Sequence, residues 1–294
     1  MSHRTSLPDK IFVFCNYTFF ILLGFATLFP FLNIIAKSFS SEAAVISGMV
    51  TIFPVDFQVG TYKYVISDKM FQTAFRNSVL ITIMGTFLGL LMTTLVAYPL
   101  SKPRLRFRRF FILMFLFTWL FSGGLIPTYL LMRELGLINT MLVLFLPSAV
   151  NVYNMLIIKS YFEGIPDEIE ESAKMDGAGN IRILFQIFLP VSLPVLATIA
   201  LFFAVGFWND FFAAMIYVNS PGLKPLQLYL KELLASANDV FLRMDMIDVN
   251  KAMNASPEAI QAASIMVATV PILCVYPFLQ KYFVKGVMLG SVKG

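Results

Sequence analysis

The residues best suited to chemistry form one polar run, Glu171-Ser172-Ala173-Lys174-Met175-Asp176-Gly177-Ala178, closed downstream by Ile187-Phe188-Leu189-Pro190. Its carboxylates offer ion pairs and hydrogen bonds. Its small residues, Ser172, Ala173, Gly177 and Ala178, let another backbone or a pocket wall come close. This is the chemistry of docking rather than of bond making. Upstream, Gly164-Ile165-Pro166-Asp167-Glu168 suits a helix start, with Pro in the first turn and acids at the positive end of the dipole. Ile169, Ala173 and Gly177 then share one face at four-residue spacing. Gly177 suits the end of that helix, where a residue without Cβ turns the chain. Asp176 is placed to accept from free N–H groups of a second helix starting near Ala178. The expected product is a helix–turn–helix knob, with an ordinary amphipathic loop as the plainer alternative.

Little else offers catalysis. The one histidine, His3, lies in the N-terminal tail, which excludes a Ser-His-Asp triad and three-His zinc chemistry. Cys15 and Cys274 sit in apolar runs near opposite ends and form no CxxC, so neither a disulfide framework nor a metal site is expected. No G-x-x-x-x-G-K-[ST] phosphate loop occurs.

The elements that must position the run are those of a membrane protein. Of 294 residues, 58% are hydrophobic and 13% charged, against roughly 25% charged in a soluble domain. Mean hydropathy is +0.78. Six apolar stretches of spanning length are drawn at about 11–36, 73–100, 110–132, 138–160, 191–218 and 260–282. The first is too long for a signal-peptide core and lacks a small-residue cleavage site.

Lys102, Arg104, Arg106, Arg108 and Arg109 put five positive charges and no acid into residues 102–109, which places that loop in the cytoplasm. Lys281, Lys285 and Lys293 do the same for the C-terminal tail. Counting spans from either landmark leaves both termini inside. The loop from Lys159 to Arg182 is then also inside, yet it carries six acids against three bases, a net of −3. Such a charge points to a basic partner surface. The chain reads as one domain, 1–294. Its polar knob covers 161–190, and an external loop at 219–259 carries a short surface helix near 225–234.

The knob resembles, position for position, the EAA loop of ABC-importer permeases (E-A-A, three residues, G, nine residues, I-x-L-P), with Ser172 where Ala is usual. Arg76-Asn77-Ser78 and Ala97-Tyr98-Pro99-Leu100-Ser101-Lys102 also resemble landmarks of sugar-type permeases, with Pro99 replacing Ala. So do Ile126-Pro127-Thr128-Tyr129, Leu135-Gly136-Leu137-Ile138-Asn139-Thr140, and Trp208-Asn209-Asp210-Phe211. The end, Gly290-Ser291-Val292-Lys293-Gly294, resembles the G-x-V-K-G tail of MalG-type subunits. The chain is thus similar to the MalG-like second permease subunit of carbohydrate-uptake ABC importers, on the LplC/YtcP branch, which is associated with complex oligosaccharides.

That resemblance implies an all-α polytopic fold, the six-helix type I importer permease, in the plasma membrane of a bacterium. It implies a non-catalytic subunit without a cofactor of its own, ATP and Mg²⁺ being bound by a separate cytoplasmic ATPase dimer. A second permease subunit would complete the channel, and an extracytoplasmic binding protein would deliver sugar. Glu171, Ser172, Ala173, Asp176, Gly177, Ala178, Ile187, Leu189 and Pro190 would form the ATPase-coupling element. Ser291, Val292, Lys293 and Gly294 would either reach between the ATPase subunits or form a frayed basic end.

A sugar path calls for amides, carboxylates and aromatic faces. Asn151 and Asn154 share a helix face in the fourth stretch, with Tyr153 about 100° away, and Trp208, Asn209 and Asp210 cluster in the fifth. Each has an ordinary alternative: intramembrane Asn often joins helices, a role open also to Asn77, and Trp often marks the interface. Asp210 is costly in lipid and should face a wet cavity, a partner or the outer headgroups. An ion-coupled transporter would call for ionisable groups at midspan and an inverted repeat, and neither is evident. An ABC permease for a non-sugar solute remains the nearer alternative.

Overall fold

The computed structural model describes residues 7–235 and 256–291, with side chains for 8–235 and 256–274. Every regular element among them is helical. The chain divides into two compact units, Met1–Asp68 with Glu232–Thr269, and Lys69–Lys231 with Val270–Gly294.

The first unit is built on α1 (Leu7–Ser38), a long apolar helix that leaves Phe12, Phe14, Tyr17, Phe20, Phe25 and Phe31 exposed. Such a surface is stable only against lipid or another apolar face. At its far end α2 (Glu42–Ile46) folds back onto a small core of Ala36, Ala44, Val45, Val50 and Ala259, and α3 (Gly60–Ser67) is tied to α1 by the hydrogen bond between Tyr62 and Ser38 (2.8 Å). Asn33 ties the return loop to α1 by donating to the carbonyls of Val50 (3.2 Å) and Thr51 (2.7 Å).

The second unit is organised by α4 (Lys69–Ser101), 33 residues and roughly 50 Å long. α5 (Arg108–Leu120) and α6 (Leu125–Glu134) follow, bent by 111° at Phe121–Gly124, so the third apolar stretch is a broken element rather than one straight span. The fourth is corrected further. Its first half is irregular, with one 3₁₀ turn at Leu142–Leu144, and only α7 (Val152–Glu163) is helical. Its leading residues Val143, Leu144 and Phe145 are buried in protein, which is where non-helical backbone at membrane depth is tolerated.

After α7 come α8 (Asp167–Met175), α9 (Asn180–Ile183), a π turn over Leu184–Phe188 and α10 (Leu189–Val191). The chain then bends by 87° at Ser192 into α11 (Leu193–Asn209), followed by α12 (Phe212–Tyr217). α13 (Leu226–Ala235) is the short helix expected near 225–234, and α14 (Pro257–Ser291) closes the chain. Among the described residues three helices are long and apolar enough to cross a bilayer, and five spans result if each bent pair counts as one. Residues 236–255 of the 219–259 loop, and Val292, Lys293 and Gly294 of the tail, lie outside the described residues.

α4, α7 and α11 form the core of this unit. α11 approaches α4 closely because α4 presents Gly85 and Gly89, a small-xxx-small pair. A Cβ on either would sit 2.8 Å from the ring of Phe207 or Phe203 respectively, and those two rings stack in parallel 6.1 Å apart.

Candidate functional site

α8 begins immediately after Pro166, with Asp167, Glu168 and Glu170 in its first turn. It ends in a Schellman-type closure: Ala178 N–H donates to Ala173 O (3.0 Å) and Gly177 N–H to Lys174 O (2.9 Å). This closure needs Gly177 at φ +81°, a backbone region costly for residues with a Cβ. The second helix starts later than expected, at Asn180. Its N-cap is Gly179, with no side-chain cap bond, so Asp176 does not cap it. Asp176 instead ends α8, its N–H donating to the carbonyl of Ser172 (3.1 Å).

Glu171, Ser172, Asp176, Gly177 and Pro190 are exposed, while Ala173, Ala178, Ile187 and Leu189 are half-buried against the core. Met175 is 89% exposed and Ile181 74%. The knob therefore carries two bare apolar side chains beside its small residues and carboxylates. Both escaped the sequence reading, because a single Met or Ile in a polar run is unremarkable.

Behind the knob lies the residue that reading missed altogether. Glu170, neighbour to Glu171, is 1% exposed. Its Oε2 contacts Lys102 Nζ, and its Oε1 takes Arg104 Nη2 and Lys174 Nζ, the last at 2.6 Å. Burial would raise the carboxyl pKa. Hydrogen bonds from Lys102, Lys174 and Arg104 together outweigh burial and hold it down, to about 2 from 4.5. The same bond to Glu170 raises Arg104. A second link pairs Arg108 with Glu163, which Lys159 also reaches at 2.8 Å.

The basic residues at 102–108 are thus more than a topological signal. They neutralise part of the acidic loop from within the same chain. The excess acid left for a partner is the exposed set of Asp167, Glu168, Glu171 and Asp176. Charge complementarity between the two stretches was the available signal.

Beneath the ions, Tyr98 from α4, Phe162 from α7 and Phe188 from the π turn form a buried aromatic triad with centroids 5.1–6.2 Å apart. Lys102 Nζ lies over the Phe188 ring at 4.1 Å. One cation therefore joins the end of α4 to α8 and to the π turn.

The residues proposed for a sugar path are dispersed. Asn151 is the N-cap of α7 rather than part of its body, its Oδ1 accepting from Asn154 N–H at 3.0 Å. Asn154 is buried, whereas Tyr153 is exposed near Trp119. Trp208 is buried edge-on to Phe75. Asn209 is exposed and donates to its own helix at Val205 O (2.9 Å). Asp210 resolves its placement by breaking the helix. Its Oδ1 accepts from Phe212 and Ala213 N–H (2.9 and 3.2 Å), capping α12.

Polar residues not singled out as a site gather at the Asn77 end of α4. Asn77 donates to Gly222 O (2.8 Å) and Lys224 O (3.1 Å), and Ser78 Oγ accepts from Leu226 N–H. Asn139 binds Ser220 Oγ and accepts from the N–H groups of Asn219 and Ser220. These amides hold loops in place: Asn77 ties α4 to the 222–224 loop rather than to another membrane helix.

Residues 85–289 match the family described as binding-protein-dependent transport system inner membrane component. Protein LplC of Bacillus subtilis is 44% identical, over 99% of this chain and 98% of that protein. The polygalacturonan/rhamnogalacturonan transport system permease protein YtcP of the same organism is 38% identical, over 98% and 100%. A chain in the crystal structure of a bacterial ABC transporter involved in import of the acidic polysaccharide alginate superposes with a TM-score of 0.87. It is 35% identical, over 96% of this chain and 100% of that one.

Proposed function

The chain belongs to the family of inner membrane components of binding-protein-dependent transport systems, and on that premise we propose that it is a permease subunit of an ATP-driven oligosaccharide importer. An extracytoplasmic binding protein delivers the sugar, a second permease subunit completes the pathway, and a cytoplasmic ATPase dimer binds ATP and Mg²⁺. The substrate class follows from the relatives, two of which are named for transport of polygalacturonan/rhamnogalacturonan and alginate. The carrying observation is the exposed knob from Glu171 to Ile181, set on a buried ion cluster that fastens it to α4.

In this reading Met175 and Ile181 enter a cleft of the ATPase, Glu171 meets a basic group there, and Gly177 lets the two surfaces close. When ATP shuts the ATPase dimer, α8 moves. Glu170 then carries α4 with it through Lys102 and Arg104, while the π turn and the bend at Ser192 let α11 change its angle. ATP binding thus favours one of two arrangements of the spans, and the sugar-loaded binding protein favours the same one. The C-terminal residues Ser291, Val292, Lys293 and Gly294 are proposed as a further ATPase contact.

The test is reconstitution with the neighbouring permease and ATPase in liposomes. Binding protein loaded with an acidic or a neutral oligosaccharide should stimulate ATP hydrolysis and sugar uptake together. Uptake that follows an ion gradient and ignores ATP would refute the reading.

A further inference from the structure

Two hollows on the second unit share part of their lining. The first, about 440 Å³, is lined by Tyr98, Lys102, Arg104, Arg106 and Asn180 among others. The second, about 420 Å³, is an apolar groove between Phe87, Leu91 and Leu95 of α4 and Leu184, Leu193 and Ala200 opposite. Leu95 and Leu184 belong to both linings, so the apolar groove and the basic pocket adjoin.

The combination has the dimensions of one leaflet. From Phe87 to Leu95 the groove follows α4 for about 12 Å, and Lys102 lies about 10 Å further. Half of a ~30 Å hydrocarbon core is about 15 Å. With the 102–109 loop at the cytoplasmic face, apolar walls of this length would end near the headgroups, with the cations beside them. Their charge exceeds what the protein neutralises: Lys102 and Arg104 share Glu170, whereas Arg106 makes no ion pair among the described residues. The Tyr98 hydroxyl is buried beside them without a hydrogen-bond partner.

We propose that this groove and the pocket beside it hold one anionic phospholipid, with an acyl chain between α4 and α11 and its phosphate on Arg106, Arg104 and Asn180. The inference rests on the importer reading in one respect: it needs the 102–109 loop at the cytoplasmic face, where anionic lipids are held by basic pockets between helices. The occupant would then brace the joint between the knob and α4.

The experiment is native mass spectrometry of the assembled transporter in mild detergent, with equal phosphatidylglycerol and phosphatidylcholine added. The wild type should retain one phosphatidylglycerol on this subunit in preference to phosphatidylcholine. Arg106→Gln should lower that preference on the order of fivefold, the worth of one basic side chain at an anionic surface. Leu91→Trp, which fills the groove, should abolish retention; if that variant fails to assemble, Arg106→Gln decides alone. Equal retention of both lipids, or unchanged retention in Arg106→Gln, overturns the proposal. So does cross-linking of a Leu91→Cys variant to the partner permease, because protein would then occupy the groove. ATP hydrolysis stimulated by loaded binding protein is measured in the same preparations. Its absence beside specific lipid retention would sink the importer reading and leave the lipid site standing.

Discussion

Replacing Glu170 by Gln keeps the shape of the buried side chain and removes its charge. Lys102, whose side chain is 8% exposed, is then left as an uncompensated buried cation. Breaking a buried pair from one side costs roughly 3–5 kcal/mol. The depression of the Glu170 carboxyl from 4.5 to about 2 independently corresponds to roughly 3 kcal/mol. Against the 5–15 kcal/mol that typically separates folded from unfolded domains, this is enough to free α8 from α4 without unfolding the helices.

Arg104→Gln is the contrast. That side chain is 55% exposed, so solvent screens the pair and its loss should cost about 1 kcal/mol or less. The assay pairs thermal unfolding of the purified complex with uptake and ATP hydrolysis in liposomes. Glu170→Gln should lower the melting temperature by several degrees and cut uptake at least about tenfold, the effect of 1.4 kcal/mol, while hydrolysis escapes control by the binding protein. Glu170→Gln combined with Lys102→Met, an apolar replacement of similar length, should recover most of the stability. Wild-type stability and coupling in Glu170→Gln would refute the clamp.

The same clamp has a pH signature. A folded pKa lowered to about 2 contributes stability that is whole above about 4.5 and is lost as pH falls from there to about 2. The stability gap between wild type and Glu170→Gln should therefore close across that window, and a gap constant in pH would contradict it. Gly177→Asp should abolish uptake with membrane insertion intact, because it brings strain at φ +81° and a charge to the docking face. Gly177→Asn, tolerant of that φ and neutral, should retain more activity in the same liposomes. Gly89→Val forces a branched side chain against the Phe203 ring and should cost about 1–3 kcal/mol in thermal unfolding, partly relieved by Phe203→Leu. Asp210→Ala removes the cap of α12 and should cost about 1 kcal/mol, whereas Asp210→Asn keeps the cap. Equal loss of sugar uptake in both, with the fold unaffected by Asn, would instead mark Asp210 as a sugar contact.

Much of this chain was legible in its residues because the bilayer imposes strong local rules. Apolar length marks helices, clustered Lys and Arg mark one face, and Gly177 after a polar helix marks a turn. The turn at Gly177 and the helix near 225–234 stand where local chemistry put them. What spacing could not supply was contact between distant stretches. Glu170 and Glu171 are adjacent and chemically identical, and they point about 100° apart around α8. Only the meeting of α8 with the basic stretch that follows α4, Arg104 standing 66 residues earlier, decides that Glu170 is buried and Glu171 exposed. The irregular first half of the fourth stretch has the same origin, whereas the third breaks at exposed Ser122-Gly123-Gly124, where Gly124 adopts φ +89°. Hydropathy reports that a segment is apolar, but burial against neighbouring helices supplies the hydrogen-bond partners and packing that let its backbone leave the helix.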